Sequence, residues 1–162
     1  MNLRNLLFVF VLTGLVLAAV AVQSAIHSPQ DELVSSLLEA LDKGDRATLL
    51  MPLVDQETFE RVLWPKFPNA RPEAHVSAGE AWAWHQRAAL HGLNGALTRW
   101  QGTGLKFASV QFDRIEDYGT FRLFRGTTLT AVRPNGETAK ILSVGSLVER
   151  NGVFSVLTYR DR

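Results

Sequence analysis

Two Asn-Gly dipeptides constrain the C-terminal half of this chain more than any other feature. Asn135-Gly136 and Asn151-Gly152 each lie between segments in which apolar and polar residues alternate. Asn-Gly readily adopts the positive φ angles of a tight hairpin turn. The flanking segments are rich in Val, Ile, Leu, Thr, Phe and Tyr, which suit a half-buried pleated surface. These observations predict four antiparallel strands, over residues 105–114, 118–133, 137–150 and 153–160.

The N-terminal half predicts helices that would cover one face of this sheet. Ser28 fits an N-cap, Pro29 the first helical position, and Gly44 the end of the same helix. Asp45 and Asp55 are suitable caps for two further short helices. A sheet with one apolar face and helices that cover it define an α+β domain.

A proline-rich segment follows the third helix. Pro65, Pro68 and Pro72 exclude a continuous helix and predict a loop or a short edge strand over residues 64–79. Aromatic residues in such a segment either fix it to the core or form the rim of a ligand pocket. Long irregular segments are frequently functional.

The longest predicted helix covers residues 78–100, and its two sides differ. One side is mainly apolar and should pack on the sheet. Gln86 falls within that side, either as a buried amide bonded to the backbone or as a polar group inside a cavity. The opposite side carries Trp84, Arg87 and His91, a composition typical of protein interfaces. Nearby small residues would allow a second helix or a neighbouring subunit to approach closely; they are Ala88, Gly92 and Gly95.

If the sheet curves around the longest helix, three polar residues are candidates to line a cavity: Gln86, Arg125 and Tyr159. Arg125 projects inward unless Gly126 marks a β-bulge, which would turn it outward. On the last strand, Phe154 and Val156 make the opposite face partly apolar. That face predicts a second covered surface, such as a homodimer contact.

Several chemistries have no support in the sequence. The chain has no cysteine, which excludes disulfides, thiol catalysis and Cys-based zinc sites. His85 and His91 are six residues apart on one helix, about 240° around its axis, and cannot share a metal. No phosphate-binding loop, dinucleotide-binding pattern or serine-nucleophile elbow is found in the sequence. We therefore predict no metal and no cofactor. The acid–base candidates are His85 and Asp113 (or Asp117), and only their distance in space could support such a pair.

Charge is divided unequally along the chain. Residues 26–81 carry 5 basic and 10 acidic side chains, whereas residues 82–162 carry 11 basic and 6 acidic ones. This division fits either an acidic helical layer beside a basic sheet or a basic surface for an anionic ligand or partner. No two basic residues are adjacent, so we predict no nucleic-acid partner.

Residues 1–25 predict a secretion or membrane signal. Arg4 precedes an apolar stretch over residues 6–22, and small residues follow it. This stretch is either a cleaved signal peptide or an uncleaved membrane anchor, because its length fits both. In either case residues 26–162 form a single domain outside the cytoplasm, periplasmic or secreted, or held at the inner membrane.

The order of these elements resembles the NTF2-like (cystatin-like) α+β cone. The resemblance covers roughly residues 29–159 and includes the closing strand, Asn-Gly turn and strand over residues 147–156. It implies a curved sheet wrapped around the longest helix, with a mouth that takes small apolar molecules. In that superfamily some members are acid–base enzymes such as isomerases and cyclases, and others are membrane-anchored assembly components. The sequence thus favours a non-catalytic extracytoplasmic binding or assembly domain, as a homodimer or with a membrane-associated partner. The alternative is a small-molecule enzyme or carrier that uses the cone.

Overall fold

The computed structural model describes residues 28–161, and the predicted leader lies outside this range. The described chain is α+β. Its α-helices are α1 (Pro29–Lys43), α2 (Arg46–Leu50), α3 (Gln56–Thr58) and α4 (Ala78–Trp100). Its strands are β1 (Lys106–Gln111), β2 (Arg114–Asp117), β3 (Arg122–Arg125), β4 (Thr128–Val132), β5 (Thr138–Ile141), β6 (Val144–Arg150) and β7 (Val153–Tyr159). Among these helices, none is long and apolar enough to cross a membrane.

The helix ends follow the local signals of the sequence. Ser28 and Asp31 form a reciprocal capping box at the start of α1. Gly44 ends α1 in the left-handed conformation, with φ 69°. Asp45 and Asp55 accept backbone hydrogen bonds at the starts of α2 and α3. The predicted helix starts and the end of α1 are confirmed because each depends on neighbouring residues alone.

The prediction of four continuous strands is wrong. The structure has two antiparallel sheets, with strand orders β1-β4-β5 and β2-β3-β6-β7. The first three predicted strands are each divided, at residues 112–113, 126–127 and 142–143. Two backbone hydrogen bonds show that the interruptions lie close to one another. The N–H of Asp113, in the first interruption, donates to the carbonyl of Arg125, just before the second (2.9 Å). The N–H of Thr127, in the second, donates to the carbonyl of Gly145, just after the third (3.3 Å). At the middle interruption Gly126 has φ +67°, which a regular strand does not accommodate.

The proline-rich segment is neither a loop nor an edge strand. After α3 the chain makes a π-helical turn over Phe59–Leu63, then three 3₁₀ turns at Trp64–Lys66, Pro68–Ala70 and Pro72–Ala74. Each 3₁₀ turn has proline at its first or second position. Proline suits that place because its φ is already helical and its missing N–H would have no partner there.

The four-stranded sheet is covered on both faces. Leu123 and Val148 are cross-strand partners on one face, whereas Phe124 and Leu147 are partners on the other. The second pair belongs to the α1 core, our name for the cluster that joins α1, the C-terminal half of α4 and the β1-β4-β5 sheet. The first pair belongs to the Phe59 core, the cluster around Phe59 that includes the start of α4. The second apolar face predicted for β7 is therefore covered within the chain, since Val156 is buried in the α1 core.

Helix α4 packs closely on the end of β7. A Cβ atom at Gly92 would overlap the backbone of Tyr159, and one at Gly95 would overlap the side chain of Asp161. The predicted packing role of these glycines is confirmed, but their neighbour is the same chain's C-terminal segment and not a second helix or subunit. The predicted bounds of α4 are confirmed as well.

A short segment between α2 and α3 covers the outer edge of β7. The backbone N–H of Val54 donates to the carbonyl of Val156 (3.0 Å), and the N–H of Val156 donates to the carbonyl of Pro52 (2.7 Å). Leu53 forms the parallel bridge between them.

Candidate functional site

A cleft of about 340 Å³ lies between the 3₁₀ turns and the four-stranded sheet. We call it the Arg125 cleft. The turns contribute one side and strands β3 and β7 the other; the lining residues are Trp64, Phe67, Pro68, Asn69, Arg125 and Leu157. Arg125 lies here because it shares a face of β3 with Leu123, two residues earlier. Arg125 lines the cleft, and the break at Gly126 begins one residue beyond it.

Aromatic rings hold the apolar walls of the Arg125 cleft. Trp64 stacks on Phe59 with ring centroids 6.2 Å apart. Phe67 meets Tyr118 and Phe121 edge-on, at 5.9 and 6.2 Å, and those two rings stack on each other at 4.8 Å. Ring pairs at these separations are favourable beyond their buried area. The walls are therefore supported by side chains that do not themselves line the cleft.

The polar side of the cleft is a small charge network. Arg125 Nε donates to Glu116 Oε2 (2.8 Å), and the Tyr118 hydroxyl donates to the same oxygen (2.9 Å). Arg114 Nε pairs with the other oxygen, Oε1 (2.9 Å). The hydrogen bond from Arg125 is the main reason that the pKa of Glu116 lies below its usual range. Two guanidinium groups thus share one ionised carboxylate.

His85 is enclosed by rings next to this cleft. It stacks on Phe59 with centroids 4.7 Å apart and contacts Trp82 at 5.8 Å. It also hydrogen-bonds the backbone of Leu157, and burial holds its pKa below the ordinary value. Within residues 28–161 no carboxylate pairs with it. The carboxylate of Asp113 lies instead against Gly126, next to the break in the strand.

The structure does not bring the three predicted pocket residues together. Tyr159 is buried, and its hydroxyl donates to the carbonyl of Leu49 (2.8 Å). Burial raises the pKa of Tyr159. Gln86 is exposed rather than buried, and it lines a separate cleft of about 260 Å³ with His85 and Trp82. Of the three, Arg125 alone lies in the Arg125 cleft.

The three residues predicted for an interface lie on the exposed side of α4. Trp84, Arg87 and His91 are all exposed, at helical spacings that place them along one face. Trp84 retains 56% of its accessible surface. Arg87 Nε donates to the carbonyl of Ala83 (3.2 Å), which holds the guanidinium along the helix.

Sequence reasoning missed most of the Arg125 cleft. The aromatic and proline residues at positions 64–68 suggested either a contact with the core or the rim of a pocket. Trp64 and Phe67 do both, since they pack against the Phe59 core and line the cleft. No feature of the sequence indicated Glu116 as part of the site, because its position between Arg114 and Arg125 depends on the register of β2 against β3.

The described residues contain no group of three or more His, Asp or Glu side chains able to hold a metal ion. No family model, curated protein or solved structure matches this chain. The likeness to the NTF2-like cone therefore stays a prediction, and functional inference depends on the geometry of the site.

Proposed function

We propose that this protein is a non-catalytic, extracytoplasmic binding domain of NTF2-like type. The observation that carries the proposal is the Arg125 cleft: a mostly apolar cleft of ligand size, with one fixed cation inside it. Ligand sites commonly have this form, a predominantly apolar lining with a few placed polar groups.

The surroundings of His85 support binding over acid–base catalysis. A general base needs a free nitrogen within reach of the substrate proton, and commonly a partner that orients it. His85 is stacked on Phe59 and bonded to the Leu157 backbone, and no carboxylate orients it in the described chain. Its lowered pKa keeps the imidazole neutral at pH 7 but does not supply the missing geometry.

The proposal is tested with N-phenyl-1-naphthylamine, an uncharged apolar dye that fluoresces on transfer from water to an apolar site. We expect saturable binding of one dye per chain. Asn69→Trp should abolish it, because an indole at the exposed rim fills the Arg125 cleft. Thr98→Trp, on the exposed side of α4, is the matched control and should leave binding unchanged. Absence of saturable binding to the wild-type chain would overturn the proposal.

The extracytoplasmic location rests on residues 1–25. Fusion of this segment to alkaline phosphatase, which is active only when exported from the bacterial cytoplasm, should give an active enzyme. Mass spectrometry of the native N-terminus then separates cleavage from anchoring. An inactive fusion would contradict the proposed location.

The exposed Trp84 favours a second candidate, assembly of two copies of this chain through the outer side of α4. An exposed Trp beside Arg is enriched at protein interfaces. Trp84→Ala should then shift sedimentation from dimer to monomer without a change in the circular dichroism spectrum. A monomeric wild-type chain, or an unchanged mass in the variant, would remove this candidate.

A further inference from the structure

We infer that the Arg125 cleft takes a small anionic amphipath, a molecule with a flat apolar body and a single carboxylate or sulfonate group. The inference rests on the proposed binding function and adds the chemical class of the ligand. It draws on the shape of the walls, the charge of the network and the unused donors of Arg125.

The walls favour a flat apolar body. Trp64 and Phe67 present rings, and Pro68 and Leu157 present aliphatic surface. Aromatic side chains prefer offset stacking or edge contacts with other rings. A volume of about 340 Å³ lies at the lower end of ligand sites, which suits a molecule of one or two fused rings.

The charge network favours an anion. Glu116 is paired with both Arg114 and Arg125, so this side of β2 and β3 carries two positive charges against one negative charge. Strand alternation places these three side chains on the cleft side of the sheet. A cationic ligand would meet a net positive site, whereas an anion gains a charge-assisted hydrogen bond.

Arg125 has donors left for such a ligand. A guanidinium carries five N–H groups, of which Nε–H is directed at Glu116. The side chain lines the cleft and keeps 36% of its accessible surface, and its hydrogen bonds with Glu116 and Tyr118 fix its orientation. The Asn69 amide at the rim supplies a further polar group.

The experiment compares two dyes with the same apolar body. 1-Anilinonaphthalene-8-sulfonate carries a sulfonate, whereas N-phenyl-1-naphthylamine carries no charge. Arg125→Gln should weaken binding of the sulfonate about tenfold, the effect of one lost charge-assisted hydrogen bond. The same variant should weaken binding of the neutral dye much less than binding of the sulfonate, because the apolar walls formed by Trp64, Phe67 and Leu157 are retained.

A second variant predicts a change of opposite sign. Glu116→Gln keeps a hydrogen-bonding side chain but removes the internal anion, so the sulfonate should bind a few times more tightly. Arg87→Gln, on the exposed side of α4, is the control for charge alone and should change neither dye. Circular dichroism and urea unfolding establish that each variant is folded.

The outcomes separate this inference from the function on which it rests. If neither dye binds the wild-type chain, the proposed function fails. If the neutral dye binds and Asn69→Trp abolishes that binding, but Arg125→Gln changes neither dye, the cleft is a binding site and the anionic class is wrong. A rise in affinity for the sulfonate on Arg125→Gln would also overturn the inference.

Discussion

The α1 core and the Phe59 core cover opposite faces of one sheet and differ in composition and closure. The α1 core is built mainly from aliphatic side chains, and Val34, Leu41, Leu93 and Ile141 within it are fully buried. The Phe59 core is richer in aromatic residues, six of its fourteen members against six of twenty-seven in the α1 core, with half-buried rings such as Trp64 and Phe67 at its margin. All of the clefts with an apolar lining described above border the Phe59 core.

The difference follows from the shapes of the side chains. Branched aliphatic side chains interdigitate and leave few voids, so the α1 core closes around α1 and α4. Flat rings that meet edge-on, on a backbone broken into 3₁₀ turns, leave gaps between them. We therefore expect the α1 core to provide most of the stability and the Phe59 core to provide the binding surface. Four measurements test this division.

The largest effect should come from a cavity in the α1 core. Leu93→Ala should lower the free energy of unfolding by about 3 kcal/mol, the usual loss for a fully buried leucine. Met51→Ala, at a site 78% exposed, should change it by less than about 0.5 kcal/mol. Urea unfolding measures both. A loss below about 1 kcal/mol at Leu93 would show that this region packs loosely.

The next effect concerns the close approach of α4 to β7. In Gly92→Ala the new methyl group would overlap the backbone of Tyr159, and we expect a loss of about 2 kcal/mol. Gly79→Ala, in the first turn of the same helix, is the matched control. Its nearest neighbour would be a Glu60 oxygen at 3.8 Å, so it should be neutral or stabilising by up to about 1 kcal/mol. Equal effects at the two glycines would contradict the packing described for α4.

A smaller effect should follow removal of the Tyr159 hydroxyl. Tyr159→Phe leaves the carbonyl of Leu49 without this donor, which should cost about 1 kcal/mol. Tyr118→Phe, whose hydroxyl meets Glu116 at the partly exposed cleft, should cost less in the same urea titration. A larger loss of unfolding free energy for Tyr118→Phe than for Tyr159→Phe would indicate that the Tyr118 hydroxyl contributes more to stability.

The smallest effect is a pH dependence from His85. Burial holds its pKa in the folded state below the ordinary value of 6.5, so the unfolded chain binds the proton more readily. The stability that depends on the neutral ring is therefore complete above about pH 7 and is lost as the pH falls through the folded-state pKa. The carboxylates of Glu116 and Glu149, whose pKa values are lowered by hydrogen bonds from Arg125 and Arg122, titrate at lower pH.

His85→Phe keeps a stacking ring without a titratable nitrogen. The free energy of unfolding should then vary less between pH 7.5 and about pH 5 than it does in the wild-type chain. Urea titrations at several pH values measure the slope. An identical slope in the two proteins would mean that His85 does not titrate differently on folding.

The helices could be predicted from the sequence because their signals are local. Ser28, Gly44 and the acidic caps act on residues within one turn, and the bounds of α4 follow from its apolar period. The strand interruptions were harder to predict, since only Gly126 hints at them and the other two are fixed by the neighbouring strands. The Arg125 cleft could not be predicted because it depends on the register of the strands and on the path of the 3₁₀ turns. The prolines allow these turns but do not determine where they lie on the sheet.

Two residues show why the rest of the candidate site could not be predicted from the sequence. Gln86 lies on the apolar side of α4 by helical period, but at that level the helix borders a cleft and not the sheet. Tyr159 looked like a cavity residue because its partner, the carbonyl of Leu49, is 110 residues away. In both cases the decisive neighbour is distant in sequence.

The segment over residues 52–54 also restricts how copies of this chain can meet. An open sheet rim offers unpaired amide and carbonyl groups on which another molecule's strand can add. Along β7 the groups of Val156 are already bonded to Pro52 and Val54, so strand addition from a second molecule is blocked there. At the opposite edge of the sheet, β2 carries the charged residues Arg114, Glu116 and Asp117. Such charges disfavour edge-to-edge pairing between two copies of the chain. Growth into fibrils through this sheet is thereby opposed on both sides.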